Sequence, residues 1–301
     1  MGIAISFAEY GDISHLTVVE EATREPGSGE VRVAVEASGV NPVDWKIVLG
    51  YLREFMPLEM PAVPGNEGSG IVVALGADVE GWAVGDPVVW SSRAGSYRSE
   101  IILPVESLVR RPESLSAEAA AVLPIAAGTA YAGLLQIGLG ANDVLLVHGA
   151  AGGVGVAVVQ IARHLGARVI GTASANNHEF LRSLGAEPVT YGEGLVERVL
   201  ALATPSAVYD AAGGEANVAA TTQLVSDLSR VVSAVPDAFA AAAQIPIVVH
   251  RADELSAVVL LAGEGVVQLP IAERFSLREA LRALQLSQEG HVRGKIVLLK
   301  D

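Results

Sequence analysis

Residues 1–110 consist mainly of short apolar runs separated by glycine, proline and aspartate. Runs of this length between turn-forming residues are typical of β-strands. The pattern predicts strands at residues 31–35, 70–75, 87–90 and 101–103. Their close spacing favours a compact β-rich unit with the character of a distorted barrel.

A different pattern begins at Ser116, a good N-cap for an alanine-rich helix that Pro124 interrupts. From residue 144 onward, apolar strand-like runs alternate with helical segments, among them predicted helices at 154–165 and 178–184. The predicted strands are 144–148, 168–172, 188–191, 207–210 and 230–234. Such alternation predicts an α/β domain with a doubly wound parallel sheet.

The last part of the chain carries too few elements for a third domain. We predict a helix near 253–262, a strand near 266–270 and a final strand at 295–300. Ser276 and Glu279 form a capping-box pattern at the start of one more helix. The simplest interpretation is that residues 267–301 return to the β-rich domain of residues 1–116, so that residues 117–266 form an inserted domain.

Composition narrows the function classes. The formal charge is −14, with 34 acidic and 20 basic residues and no Lys/Arg cluster, which argues against binding to nucleic acid or to anionic membranes. The absence of cysteine excludes disulfides, thiol nucleophiles and thiolate metal sites. No signal peptide or membrane-spanning run is visible, so we expect a cytoplasmic protein.

A glycine-rich turn follows the strand predicted at 144–148. Ala150 takes the first glycine position of the dinucleotide-binding pattern, and the remaining turn residues are Gly152, Gly153, Val154 and Gly155. Small residues let the backbone approach a pyrophosphate, and the following helix directs its N-terminus at the anion. Since the turn joins a strand to a helix, it predicts a dinucleotide site.

The end of the second strand of this domain indicates which dinucleotide binds. Sites that prefer NAD usually place a carboxylate there to bind the ribose hydroxyls. Here no carboxylate occurs before Glu179, and the polar side chains are instead those of Ser174 and Asn177. This composition suits a 2′-phosphate and predicts NADPH as the cofactor.

Seven segments together resemble a known family in their order and spacing. They are residues 38–46 (SGVNPVDWK), 64–70 (PGNEGSG), 84–88 (VGDPV), 123–130 (LPIAAGTA), 149–155 (GAAGGVG), 208–210 (VYD) and 290–298 (GHVRGKIVL). The chain resembles the zinc-independent quinone oxidoreductases, related to zeta-crystallin, of the medium-chain dehydrogenase/reductase superfamily. The resemblance implies a GroES-like β-rich domain with an inserted Rossmann domain, an active-site cleft and a homodimer.

The resemblance also assigns roles to single residues. Asn41 resembles the residue beside the nicotinamide and its ribose, and Thr129 one near the nicotinamide amide. Tyr191 resembles a tyrosine that helps to hold the 2′-phosphate, and Lys295 a lysine of the closing segment near the cofactor. Asp44 corresponds to an acidic residue that shapes the cleft. The alternative interpretations are an Asn in a turn, a solvated Lys and a core Tyr.

The chain departs from the family pattern on the substrate side and at the metal positions. Lys46 stands where some relatives have tyrosine, and nearby Tyr51 could take a similar place. Asn66 occupies the position of a histidine zinc ligand in zinc-dependent relatives, and no cysteine ligand exists, so a family-type zinc site is excluded. His148 is better interpreted as a packed strand residue than as a base, and His291 as a surface or cleft residue.

Metal-free hydride transfer suits an acceptor that is already electron-poor. The first hypothesis is therefore two-electron reduction of a quinone by NADPH, with Asn41, Asp44, Lys46 and Tyr51 as the catalytic set. The alternative is reduction of α,β-unsaturated aldehydes or ketones, in which Tyr51, Lys46 or a ribose hydroxyl donates a proton. A non-enzymatic alternative is an NADPH- or RNA-binding protein. Serine hydrolysis is excluded because no nucleophile elbow is present.

Overall fold

The fold combines an antiparallel β-rich unit with a parallel α/β unit, in a computed structural model that describes residues 2–92, 94–290 and 292–300. In the first half of the chain the elements are β1 (Gly2–Ser6), β2 (Thr17–Glu21), β3 (Glu30–Val40), α1 (Pro42–Val48), β4 (Glu67–Leu75), β5 (Pro87–Ser91), β6 (Glu100–Pro104), β7 (Leu108–Arg110), α2 (Ala117–Ala121), α3 (Leu123–Gln136) and β8 (Val144–His148). The second half contains α4 (Gly153–His164), β9 (Arg168–Thr172), α5 (His178–Ser183), β10 (Glu187–Val189), α6 (Leu195–Leu200), β11 (Ala207–Asp210), α7 (Glu215–Leu224), β12 (Val231–Ser233), α8 (Ala238–Ala242), α9 (Glu254–Gly263), β13 (Ile271–Ser276), α10 (Ala280–Glu289) and β14 (Lys295–Leu299). The predicted α/β class, with a β-rich unit and a doubly wound parallel sheet, is confirmed.

The β-rich unit comprises the described parts of residues 1–125, 255–263 and 270–301. Its main sheet runs β13-β14-β3-β4-β5-β7, and β6 pairs with β3. Strand β3 is long, and its buried positions alternate along most of its length, as expected where one face packs on a core. That core includes Val33, Val72 and Trp90, which are fully buried.

The α/β unit comprises residues 126–254 and 264–269. Its sheet runs β10-β9-β8-β11-β12 with every pair parallel, which is a doubly wound order with β8 at the centre. The central strands β8 and β11 are uncharged and mostly apolar up to their last residues, because helices cover both faces of such a sheet. Strands β8 and β11 end in register at His148 and Asp210.

The extent of the β-rich unit differs from the predicted division at residues 116/117 and 266/267 in three places, one of which is residues 267–269, which belong to the α/β unit. Helix α2 packs against β3 and β4, so residues 117–125 join this unit. Residues 255–263 join it as well, since Val259 packs with Val89 and Ala120. Ser116 caps α2 as predicted, and its Oγ accepts a hydrogen bond from the N–H of Ala119 at 3.2 Å.

The strand predicted near 266–270 is wrong, and the strand lies at Ile271–Ser276 instead. The side chain of Gln160 bonds both the N–H and the carbonyl of Gln268, at 3.1 and 3.0 Å. These backbone groups therefore do not enter a ladder, although Val267 and Leu269 are buried as their apolar character requires. The capping box at Ser276 and Glu279 is confirmed. Among the described residues, no helix combines the length and the apolar character that a membrane crossing requires.

Candidate functional site

The glycine-rich turn at residues 149–155 joins β8 to α4 in the α/β unit. Gly149 takes a left-handed φ of 70°, and its N–H donates to Thr172 Oγ1 at 3.1 Å. The N–H of Ala150 donates to the Thr172 carbonyl at 3.0 Å. A Cβ atom on Gly155 would lie 2.2 Å from the Gly149 carbonyl oxygen, so only glycine fits there. The turn thus folds tightly against the start of α4, whose first N–H groups have no partner within the helix and favour an anion.

Polar groups follow the second and third strands of the same unit. Asn177 Nδ2 donates to Ser174 Oγ at 3.2 Å, directly after β9. Tyr191 lies beyond β10, and its side chain is 55% exposed. The side chains of Ser174, Asn177 and Tyr191 are uncharged donors, which fit a phosphate oxygen. None of them is the carboxylate that binds the ribose hydroxyls in an NAD site.

Arg198 on α6 holds the loop that carries Tyr191. Its guanidinium donates to the carbonyls of Thr190 at 2.8 and 3.1 Å, of Gly192 at 3.3 Å and of Glu193 at 2.8 Å. Because the guanidinium fork is rigid, these bonds fix the path of the backbone on both sides of Tyr191.

Two further polar residues of the α/β unit, His148 and Thr129, are buried. His148 is fully buried, and its Nε2 lies 3.1 Å from Thr221 Oγ1. Burial lowers the pKa of His148 to about 4, although the charge of Asp210 acts in the opposite direction. His148 is therefore a neutral packed residue, in agreement with its interpretation from the sequence. Thr129 is buried on α3, where its carbonyl accepts from Tyr209 Oη at 2.8 Å.

In the β-rich unit, Asn41 directly follows β3 and is the N-cap residue of α1. Its N–H donates to Asp44 Oδ2 at 2.7 Å, which satisfies one end of the capping arrangement. Its side-chain Nδ2 donates to Glu67 Oε1 at 2.7 Å, and its Oδ1 accepts from the ammonium of Lys295. Asn41 is 4% exposed, so these partners surround most of the amide.

Asp44 is fully buried and accepts three hydrogen bonds. Besides the bond from Asn41, Tyr97 Oη donates to Oδ2 at 2.8 Å and Asn66 Nδ2 donates to Oδ1 at 2.5 Å. Burial raises the pKa of Asp44 to about 6, because desolvation outweighs these donors and the Glu67 charge acts in the same direction. Burial likewise raises the pKa of Tyr97 well above its usual range, so this phenol remains a donor.

Glu67 and Lys295 form a buried ion pair beside Asn41. Lys295 Nζ lies 3.0 Å from Glu67 Oε1, and the two side chains are 4% and 0% exposed. The other carboxylate oxygen, Oε2, accepts from the N–H of Ile125 at 2.7 Å. Every group in this arrangement has a partner of the right kind, as a buried charge requires.

Lys46 and Tyr51 flank Trp45 on and just after α1. The Lys46 ammonium lies 5.5 Å from the centroid of the Trp45 ring, and Tyr51 meets that ring edge-on at 6.3 Å. Tyr51 is 66% exposed, whereas Lys46 is half-buried.

The structure therefore brings together three of the predicted site residues of this unit, Asn41, Asp44 and Lys295, and sets Lys46 and Tyr51 around Trp45. In the α/β unit Ser174 contacts Asn177. Sequence reasoning did not assign roles to Glu67 and Tyr97. A charged residue opening the otherwise uncharged strand β4 was the available signal for Glu67. His291 lies outside the described residues. Within the part of the chain that the structure describes, no three or more His, Cys, Asp or Glu residues group as metal ligands would.

Two family models match the chain. The alcohol dehydrogenase GroES-like domain matches residues 27–113, and the zinc-binding dehydrogenase family matches residues 153–238. A chloroplast envelope quinone oxidoreductase homolog of Arabidopsis thaliana is 34% identical over 322 aligned residues, which cover 98% of this chain and 97% of that protein.

Solved structures show the same likeness over the whole chain. The quinone oxidoreductase from Coxiella burnetii superposes with a TM-score of 0.88 and 30% identity, covering 100% of both chains. A mycobacterial protein solved in complex with NADPH superposes with a TM-score of 0.85 and 29% identity, covering 99% of both chains.

Proposed function

Because the chain belongs to the zinc-independent quinone oxidoreductase family of the medium-chain dehydrogenase/reductase superfamily, we propose that it reduces quinones with NADPH. It is an oxidoreductase that acts on a small molecule, and the mycobacterial protein that it resembles was solved in complex with NADPH. The observation that carries the NADPH proposal is the glycine-rich turn together with the strand end after it, where Ser174 and Asn177 stand in place of a carboxylate.

The residues present fit a phosphorylated dinucleotide. The turn from Ala150 to Gly155 and the first N–H groups of α4 would hold the pyrophosphate. Ser174, Asn177 and Tyr191 would hold the 2′-phosphate, with Arg198 fixing the loop of Tyr191. By its resemblance to the family, Asn41 is the residue of the β-rich unit that we propose for the nicotinamide end of the cofactor. Bound NADPH supplies the hydride and its two electrons.

The protein's own contribution is the orientation of the cofactor and the acceptor. Asn41 offers a fixed side-chain amide, and Asp44 is a positioning residue, since its buried carboxylate accepts from the backbone N–H of Asn41. Tyr51 and Lys46 lie beside the half-buried ring of Trp45 and would line the acceptor site. A quinone needs little acid catalysis, because its reduced oxygens can take protons from water.

The test is a steady-state screen that follows NADPH absorbance with benzoquinones and naphthoquinones, with 2-alkenals and enones, and with NADH in place of NADPH. We expect turnover of quinones, and a preference for NADPH of at least about tenfold in kcat/KM, the value of one charge-assisted hydrogen bond. Turnover of enones without turnover of quinones would replace the acceptor proposal by the enone alternative. Equal kcat/KM for the two cofactors would overturn the NADPH proposal.

We further propose a homodimer that binds no RNA. The charge of −14 opposes binding to a phosphate backbone, so a gel shift with single-stranded RNA at low salt should show none. Light scattering of the purified protein should give twice the chain mass of 31.0 kDa.

A further inference from the structure

The amide of Asn41 lies between two buried charges of opposite sign. Its Nδ2 donates to Glu67 Oε1 at 2.7 Å, and its Oδ1 accepts from the Lys295 ammonium, which itself lies 3.0 Å from Glu67 Oε1. An ammonium only donates and a carboxylate only accepts, so the amide can take one of its two flipped orientations and not the other.

We propose that Glu67 and Lys295 are positioning residues that lock the Asn41 amide in a single orientation for the reaction. An amide has two N–H hydrogens and two oxygen lone pairs, and this arrangement uses one of each. Because the amide is planar, its second hydrogen is thereby held in a fixed direction as well. The inference rests on the proposed function in one respect, namely that Asn41 contacts the nicotinamide end of the cofactor.

The carboxylate of Glu67 is itself held in place. Its Oε2 accepts from the N–H of Ile125 at 2.7 Å. A Cβ atom on Gly39 would lie 2.0 Å from Glu67 Oε1, so the glycine makes room for the carboxylate against β3. The lock is therefore assembled from the chain's own residues, and a ligand does not have to order it.

Neutral substitutes cannot reproduce the lock. Glutamine at position 67 has one acceptor oxygen, whereas Glu67 uses two, toward Ile125 and toward Asn41 with Lys295. Removing only one partner leaves the other charge buried and unpaired, which destabilises the fold. Removing both charges leaves no unpaired charge, so the double variant avoids this cost. Stability and amide orientation can therefore be separated by experiment.

The experiment compares wild type, Glu67→Gln, Lys295→Met and the double variant by Tm and by kcat and KM with NADPH and a quinone. We expect each single variant to lower Tm by about 5–10 °C, and the double variant to regain at least about half of that loss. In the double variant, kcat should remain about 10- to 100-fold below wild type while the quinone KM changes by less than about threefold. Recovery of kcat together with Tm would mean that the pair is only structural and would overturn the proposal.

Arg230→Met is the matched control. Arg230 pairs with Asp143 at 2.7 Å, and the two side chains are 25% and 18% exposed, in the α/β unit at the start of β8. This variant should lose stability and keep kcat. A loss of kcat in Arg230→Met equal to that in the double variant would contradict the proposal, since stability alone would then lower the rate.

A second measurement does not depend on turnover. Side-chain amide signals of ¹⁵N-labelled asparagine report the Asn41 amide, assigned by its loss in Asn41→Ser. Hydrogen exchange of this amide should be at least about tenfold faster in the double variant than in wild type. Unchanged exchange would overturn the lock, whereas an inactive wild type with a locked amide would overturn only the proposed quinone reduction.

Discussion

The Lys295 ammonium lies 3.0 Å from the Glu67 carboxylate, and neither side chain is more than 4% exposed. An ion pair of similar N–O distance on the surface contributes less to stability. Arg168 Nε lies 2.6 Å from Glu187 Oε1, but these side chains are 44% and 41% exposed, so water and salt screen the attraction. Burial, and not distance, decides what each pair contributes to stability.

Paired substitutions should show this difference directly. Lys295→Met is expected to lower the free energy of unfolding by about 3–5 kcal/mol, because it leaves the Glu67 charge buried and unpaired. Arg168→Met should cost less than about 1 kcal/mol. Urea unfolding of both variants at neutral pH measures the two values, and equal losses would contradict the argument.

Asp44 should make the protein less stable as pH rises from about 4 to about 6. Its pKa rises from 3.8 to about 6 on folding, so in this range the folded carboxyl keeps a proton that the unfolded chain has released. The loss is at most about 1.4 kcal/mol per pH unit and ends above pH 6. Unfolding of wild type and Asp44→Asn at pH 4, 5, 6 and 7 should give stabilities that diverge across this window, and parallel curves would be evidence against the shift.

His148 should act in the opposite direction. Its pKa falls from 6.5 to about 4 on folding, because burial disfavours the imidazolium. Between these two pH values the ring is protonated in the unfolded chain and neutral in the folded chain. Stability contributed by the neutral ring is lost as pH falls toward 4. His148→Gln should therefore show a weaker loss on acidification than wild type, by up to about 1.4 kcal/mol per pH unit. The same urea series tests this, and identical slopes would count against it.

The Arg198 contacts predict a selective kinetic effect. Lysine cannot span the carbonyls of Thr190, Gly192 and Glu193 with one ammonium, so Arg198→Lys should loosen the loop that carries Tyr191. We expect the KM for NADPH to rise about fivefold, the loss of one ordinary hydrogen bond, while the KM for NADH stays constant. Tyr191→Phe is the companion variant and should give the same selectivity. An equal rise for both cofactors would mean that the loop does not contact the 2′-phosphate.

The two turn glycines should respond differently to alanine. At Gly155 a Cβ atom would lie 2.2 Å from the Gly149 carbonyl, and Gly155→Ala should cost about 1–3 kcal/mol of stability. At Gly152 the nearest atom would be 3.5 Å away and φ is −77°, so Gly152→Ala should fold normally. Because its methyl group would obstruct a pyrophosphate, Gly152→Ala should still weaken NADPH binding, as calorimetry can measure. Unchanged affinity in a folded Gly152→Ala would contradict the assignment of the turn.

The parallel sheet was predictable because its signals are local. The apolar run of β8, the glycines at 149–155 and the helical period of α4 adjoin one another in the chain. Each element could thus be recognised within a short window, and the alternation of strands and helices supplied the topology. The strand predicted at 266–270 failed because an apolar run does not reveal that a side chain, Gln160, binds its backbone.

Asn41, Asp44, Glu67, Tyr97 and Lys295 form a buried polar cluster in the β-rich unit. This cluster was only partly predictable, because its members are far apart in the chain. Lys295 is 254 residues from Asn41, and Tyr97 is 53 residues from Asp44. Only the resemblance linked Lys295 to the site, and it suggested the cofactor as its partner. In the structure the ammonium of Lys295 donates to Glu67 and Asn41, and no periodicity or spacing could have revealed these partners.

The hydrogen bonds from Arg198 to main-chain carbonyls also affect which residues could be exchanged in this protein, in evolution or by design. The backbone after β10 takes its shape from a residue on the next helix, and the side chains at positions 190–193 do not supply these bonds. Gly192 takes a left-handed φ of 91°, which favours glycine. The other three positions, 190, 191 and 193, are therefore open to exchange without loss of the loop's path. A library that varies them while keeping Arg198 would search new cofactor preferences on a constant scaffold.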